Sequence, residues 1–151
     1  MELIEAYKIE NCKTIPIDIN NVNQIKEIKD LATEMAMFCS KEGGVGLSAC
    51  QIGLFKSFFV MKMTNNSYSV IINPSYYKEG SRYLVTESCL SYPNEAYDVK
   101  RYKSIKVHYW TIENNGFTFV ENKMKGEIAE IFQHETDHGN GKTIAMIGKK
   151  R

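Results

Sequence analysis

Long apolar runs are missing from this chain. No stretch approaches the roughly 20 consecutive apolar residues that a membrane span requires, so no membrane partner is expected. A basic segment followed by an apolar one is missing from the N-terminus too. Glu2, Glu5 and Glu10 stand there instead, which argues against a secretory signal or transit peptide and makes the cytoplasm the expected location. Excess charge of either sign is absent: 19 Lys and Arg face 18 Asp and Glu. A broad electrostatic footprint on nucleic acid is thereby excluded, and no nucleic-acid motif is present. The four cysteines (Cys12, Cys39, Cys50, Cys89) show no CxxC spacing, which removes a disulfide scaffold and a zinc ribbon. Only three prolines and three histidines occur, and no repeat or linker divides the sequence.

What is present suits one catalytic domain spanning 1–151, with 43% hydrophobic and 25% charged residues. Ile15-Pro16-Ile17-Asp18-Ile19 is extended, because proline disfavours helix on both sides. Ile25, Ile28, Leu31, Ala32, Met35 and Cys39 then form an apolar stripe that predicts a helix over about 24–41. Asn23 is its expected N-cap, and Gly43-Gly44 end it. Gly43-Gly44-Val45-Gly46 opens a loop running to Gly53. Ser57–Met63 and Tyr68–Asn73 read as a hairpin across Thr64-Asn65-Asn66-Ser67. A third strand is expected at Arg82–Glu87, and Pro93 breaks any strand beyond it. Val99–Thr111 alternates, with Ile105, Val107 and Tyr109 facing one way and Lys106, His108 and Trp110 the other. Asn114-Asn115-Gly116 turns the chain into a strand at Phe117–Glu121. From about Met124 the period becomes helical, and Gly139 and Gly141 end that helix. Strands in the middle flanked by helices predict an α+β fold.

The chemistry concentrates in Gln133-His134-Glu135-Thr136-Asp137-His138. Two histidines four residues apart lie on one helical face and can share a metal ion. Glu135 between them is placed to take a proton from a water the metal activates. A further ligand is needed. After His138 the sequence holds no His, Cys, Asp or Glu, so it must come from upstream. His108, the four cysteines and the carboxylates are candidates. His108 reads as a strand residue, Cys12 lies in the unpatterned N-terminus and Cys39 on a helix core face. Cys50 and Cys89 lie in irregular segments that could aim a side chain at a metal, and residue chemistry does not choose between them.

Three stretches together resemble the peptide deformylase family. Gly44-Val45-Gly46-Leu47-Ser48-Ala49-Cys50-Gln51 is similar to that family's Gly-x-Gly-Leu-x-Ala-x-Gln loop. Glu87-Ser88-Cys89-Leu90-Ser91 is similar to its Glu-x-Cys-Leu-Ser segment, and Gln133–His138 to its Gln-His-Glu-x-x-Asp-His helix. The resemblance implies antiparallel sheets around a C-terminal helix carrying the motif, with one N-terminal helix. It implies Cys89, His134 and His138 as ligands of one divalent ion, Fe²⁺ foremost, with Zn²⁺, Ni²⁺ or Co²⁺ also compatible. It implies Glu135 as general base, and the Gln51 amide and Leu90 N–H as oxyanion donors. Gly44, Val45 and Gly46 would hold the substrate, with Gly46 letting the backbone approach it. Asp137 would steady a ligand imidazole, and Glu87 would pair with Arg101. The implied substrates are N-formylmethionyl nascent peptides, met near the ribosome exit. The compartment would be the bacterial cytoplasm, or a host's if the chain is virus-encoded. Another metal-dependent peptidase or amidase with the same His-Glu-x-x-His helix is the rival reading.

Some residues depart from the family pattern. Ser48 and Cys50 replace common small residues, and Ser88 replaces a usual Gly. Gly139 stands for a common Leu, and the chain resembles compact members with a short C-terminus. Glu130, one turn before His134, occupies a usually apolar place in the pocket for the methionine side chain. It is expected either to turn outward or to bind the amine side of the substrate.

Overall fold

A computed structural model describes residues 1–151. Helix α1 (Ile25–Lys41) buries Ile25, Ile28, Ala32, Met35 and Cys39, the stripe its sequence announces. Its cap differs from expectation. A 3₁₀ turn at Val22–Gln24 precedes it, and the Asn21 side chain accepts the Asn23 N–H at 3.2 Å. Asn21, not Asn23, therefore caps the 3₁₀ turn, and Gln24 stands at the N-cap of α1 without a side-chain bond.

Six strands form one sheet: β1 (Gly46–Ser48), β2 (Phe58–Lys62), β3 (Tyr68–Cys89), β4 (Tyr92–Glu113), β5 (Gly116–Lys125) and β6 (Lys149–Lys150). The first five pair antiparallel in sequence order, and β6 adds to β4. The strands expected at 68–73 and 82–87 are a single strand. Asn73 (φ 50°) and Gly80 (φ 74°) produce register shifts within β3 rather than ends. Pro93 lies inside β4 beside another shift, between Glu87 and Cys89, where the ladder does not need its missing N–H. Asn114 and Asn115, both at positive φ, make the turn between β4 and β5. Part of the glycine loop is ordered as β1 and a 3₁₀ turn at Ala49–Ile52, which Gly53 ends at φ 87°.

Helix α2 (Glu127–Gly139) starts later than its apolar period suggests. Met124 pairs with Ile105 in the sheet, and Gly126 (φ 66°) turns the chain from strand to helix. A short helix α3 (Ile144–Ile147) follows. Strand β2 is buried on both faces. Phe58 and Val60 pack with α1, whereas Phe59 and Met61 pack with Phe132 of α2. The two helices thus clamp opposite faces of the strand beside β1. At the C-terminus the backbone of Lys149 and Lys150 pairs with that of Asp98 and Tyr97, while their side chains stay exposed.

Candidate metal centre

Gln133 fixes α2 against the sheet. Its amide accepts the Tyr102 N–H at 2.9 Å and donates to the Tyr102 carbonyl at 3.0 Å, as a neighbouring strand would. His134 and His138 then stand one turn apart, with ring centroids separated by 4.7 Å. The tight end of the β3–β4 hairpin presents Cys89 to the same place. One donor atom each from Cys89, His134 and His138 lies within 4.8 Å of the others. Cys89 Sγ is 3.5 Å from His138 Nε2. Ligands about 2.2 Å from a tetrahedral ion stand about 3.6 Å apart, so this donor set fits a divalent metal.

The other nitrogens of both imidazoles are occupied. His134 Nδ1 meets Glu87 at 2.8 Å, and His138 Nδ1 meets the Lys142 carbonyl at 3.2 Å. These bonds direct the two Nε2 atoms inward. Behind Glu87 stands Arg101, 3% exposed, which donates to both Glu87 oxygens at 2.8 and 2.9 Å. Arg101 also donates to Asp137 at 2.6 Å. Asp137 therefore holds no imidazole. It anchors the arginine that anchors Glu87, which in turn holds His134. The Glu87–Arg101 pair is a buried one and not a surface contact.

Electrostatics follow from this burial. Burial raises the Glu87 carboxyl, but bonds from Arg101 and His134 outweigh it and hold it at about 2. Burial, with the nearby His134, pushes His138 well below the ordinary histidine range and keeps it neutral. Burial opposes charge on His134, but bonding to Cys89 and Glu87 prevails and raises it. Burial raises Glu135, opposed by His134 and by a Ser48 hydrogen bond.

Glu135 lies between two residues of β1. Ser48 Oγ donates to its Oε1 at 2.9 Å and to its backbone carbonyl at 3.0 Å. A Cβ on Gly46 would lie 2.6 Å from its Oε2. Gly46 is thus a glycine because Glu135 fills the space a side chain would need, a different reason from substrate approach. Nothing in the spacing of the motifs singles out Ser48; only its hydroxyl, at a place usually small, hints at a partner. Gln51 is oriented by a backbone N–H three residues upstream. Its Oε1 accepts the Ser48 N–H at 2.8 Å, which turns Nε2 toward Ser91 Oγ (2.9 Å) and Cys89 Sγ (3.6 Å). The Leu90 N–H has no backbone or side-chain acceptor in the chain.

The remaining sequence candidates lie elsewhere or play other parts. His108 pairs with Glu121 on the sheet, and Cys39 and Cys50 are buried. Cys12 is near the site only through a long contact from its sulfur to the His138 carbonyl. Gly44, Val45 and Gly46 line an open cleft of about 990 Å³ together with Cys89, Leu90 and His134. Glu130 lines it too, with one oxygen held by the Tyr83 hydroxyl at 2.6 Å. It is half-buried and does not turn outward, the first of the two arrangements expected from sequence.

A His-Glu-x-x-His helix facing a thiol on a strand hairpin defines the class: proteins with a Cys-His-His set suited to one divalent ion. More narrowly, the chain belongs to the polypeptide deformylase family, whose family model matches residues 2–150. A curated peptide deformylase of Thermotoga maritima is 40% identical over 102 residues, 67% of this chain and 60% of that protein. The chain thus matches less than two thirds of that relative's length. The fold is similar to the crystal structure of peptide deformylase from T. maritima, with TM-score 0.84, 29% identity and coverage of 97% of this chain and 95% of that one. It is also similar to the Met-Ala-Ser-bound deformylase of Acinetobacter baumannii, with TM-score 0.84, 26% identity and coverage of 96% of each.

Proposed function

We propose that this protein removes the N-formyl group from the initiator methionine of newly made polypeptides, which it meets as they leave the ribosome. One observation supports the reading: donor atoms of Cys89, His134 and His138 converge, with Glu135 Oε2 3.9 Å from His134 Nε2 and Gln51 Nε2 3.6 Å from Cys89 Sγ. Cys89, His134 and His138 would hold one divalent ion, Fe²⁺ or another that accepts a sulfur and two nitrogens, such as Zn²⁺, Ni²⁺ or Co²⁺. When bound, the ion supplies Lewis acidity, making water a better nucleophile and the formyl carbonyl a better electrophile.

The residues of the chain do the rest. Glu135 accepts a proton from the attacking water and passes it to the departing amine, so that formate and a free amino terminus result. Its free oxygen, Oε2, lies 3.9 Å from His134 Nε2. Leu90 N–H and the Gln51 amide donate to the carbonyl oxygen as negative charge develops there. Gly44, Val45 and Gly46 border the cleft at the edge strand β1, where an extended peptide can add as a further strand. The A. baumannii relative was solved with Met-Ala-Ser bound, which supports a short peptide as the ligand.

The test is formate release from formyl-Met-Ala-Ser by metal-loaded protein and by Glu135→Ala. The reading expects the variant to lose at least about a thousandfold, the scale of general acid–base catalysis. Equal rates, or cleavage of unformylated peptides at internal bonds, would overturn it.

A further inference from the structure

A small cavity of about 20 Å³ adjoins Glu135, the only residue it shares with the cleft beside Cys89 and His134. Hydroxyl-bearing residues from separate parts of the chain line it: Thr14, Ser48, Ser57 and Thr136. Only three of its twelve lining residues are hydrophobic, whereas cavities that stay dry are apolar. A cavity admits a water once about 10–15 Å³ is open to the water's centre, so this one has room for a single molecule. Ser48, Cys50 and Gly139, which depart from the family pattern, all line it.

Thr136 is an independent sign of a ligand. The residue is 5% exposed, and its buried hydroxyl has no hydrogen-bond partner in the chain. A helical threonine can turn its hydroxyl back to the carbonyl one turn earlier, but this one does not. A buried hydroxyl left unpaired costs free energy, and native interiors pair such groups with protein or water. Two neighbouring hydroxyls are complementary to it. Thr14 Oγ1 donates to the Gly139 carbonyl at 2.9 Å. Ser48 Oγ has one hydrogen but two acceptors within reach, Glu135 Oε1 at 2.9 Å and the Glu135 carbonyl at 3.0 Å. A hydroxyl oxygen has two lone pairs, so both Thr14 and Ser48 can still accept.

We infer that one ordered water occupies this cavity, accepting from the Thr136 hydroxyl and donating to Thr14 Oγ1 and Ser48 Oγ, and that Thr136 acts through it to aim the Ser48 hydrogen at Glu135. About three bonds is usual for a buried water. Donation into a Ser48 lone pair leaves the hydrogen of that hydroxyl directed at Glu135. The water thereby joins α2 to β1 and to the N-terminal segment. Thr136 is a positioning residue, and only its kinetic consequence rests on the deformylase reading.

The experiment is a high-resolution crystal structure of the metal-loaded protein and of Thr136→Val and Thr136→Ser, with melting temperatures and kinetics at matched metal content. The parent and Thr136→Ser are expected to show a density peak within hydrogen-bond distance of all three hydroxyls, and Thr136→Val to lose it. Thr136→Val is nearly isosteric, and its melting temperature should fall by about 2–4 °C as Thr14 and Ser48 lose a partner. Were the hydroxyl merely orphaned, the same change would remove an unpaired group and raise the melting temperature. Thr136→Val should lower kcat about two- to threefold with KM unchanged, and Thr136→Ser should keep it near the parent value. In a Ser48→Ala background Thr136→Val should cost no further kcat, which an independent structural loss would not reproduce. No density at that point, a raised melting temperature, or a kcat effect of Thr136→Val that does not depend on Ser48 overturns the inference. Density and melting temperatures as expected, with no formate released from any formylated peptide, would instead overturn the deformylase reading and uphold the water.

Discussion

Ser48 and Glu135, 87 positions apart in sequence, share a hydrogen bond of 2.9 Å that leaves only one carboxylate oxygen free. The bond sets which face of Glu135 meets the reacting water. A hydrogen bond to a charged group contributes about 1.5–3 kcal/mol, and only the share that differs between ground and transition states affects rate. Ser48→Ala is expected to lower kcat about three- to tenfold with KM nearly unchanged, and Ser48→Thr to recover part of the loss. Steady-state kinetics at matched metal content checks both.

Gly46→Ala is expected to be far more damaging. Its new Cβ would lie 2.6 Å from Glu135 Oε2, and the carboxylate must move. Displacement of a catalytic group by about 1 Å costs on the order of a hundredfold. Elemental analysis should find the metal retained while kcat falls by about that factor. Loss of metal together with activity would show that β1, and not Glu135 alone, has shifted.

Arg101→Met keeps most of the side-chain volume but leaves Glu87 and Asp137 buried without their cation. Breaking a buried charge network from one side costs about 3–5 kcal/mol. A fall in melting temperature of roughly 10 °C is expected. Metal affinity should drop about 10- to 100-fold as Glu87 loses its hold on His134. Calorimetry and competitive chelation measure the two effects separately.

Tyr83 offers a test of the cleft wall by pH. Its hydrogen bond to Glu130, aided by burial and the nearby negative charge, raises the phenol to about 12 from an ordinary 10. The folded state binds this proton more tightly than the unfolded state does. The stabilisation is therefore complete below pH 10 and is lost as pH rises from 10 to about 12. Ultraviolet titration should show one phenol ionising earlier in Glu130→Leu than in the parent protein. The stability gap between the two should narrow across that interval.

Much of this was legible in the residues. The stripe of α1, the alternation of β4 and the paired histidines depend on local periodicity, and each appears where it was expected. Breakers were harder to interpret. One strand was expected to end at Asn73 and another to begin at Arg82, yet long partner strands carry β3 through Asn73 and Gly80 as irregularities. Side-chain partners were hardest. Asp137 was expected to steady an imidazole, but Arg101 reaches it from β4. Ser48 looked like a neutral exchange until α2 brought Glu135 against it. Such pairings depend on tertiary placement, which spacing along the chain does not encode.

The hairpin that presents Cys89 also fixes an order of events. A ribosome makes Cys89 before the two histidines, and 49 positions separate it from His138. Between those moments the thiol has neither imidazole beside it, and Glu87 and Arg101 lack their partners on α2. Metal capture must wait until α2 docks on the sheet, because no two-histidine face exists earlier. Maturation of the centre is therefore coupled to a long-range step of folding, and slow docking of α2 would leave a reactive cysteine unguarded.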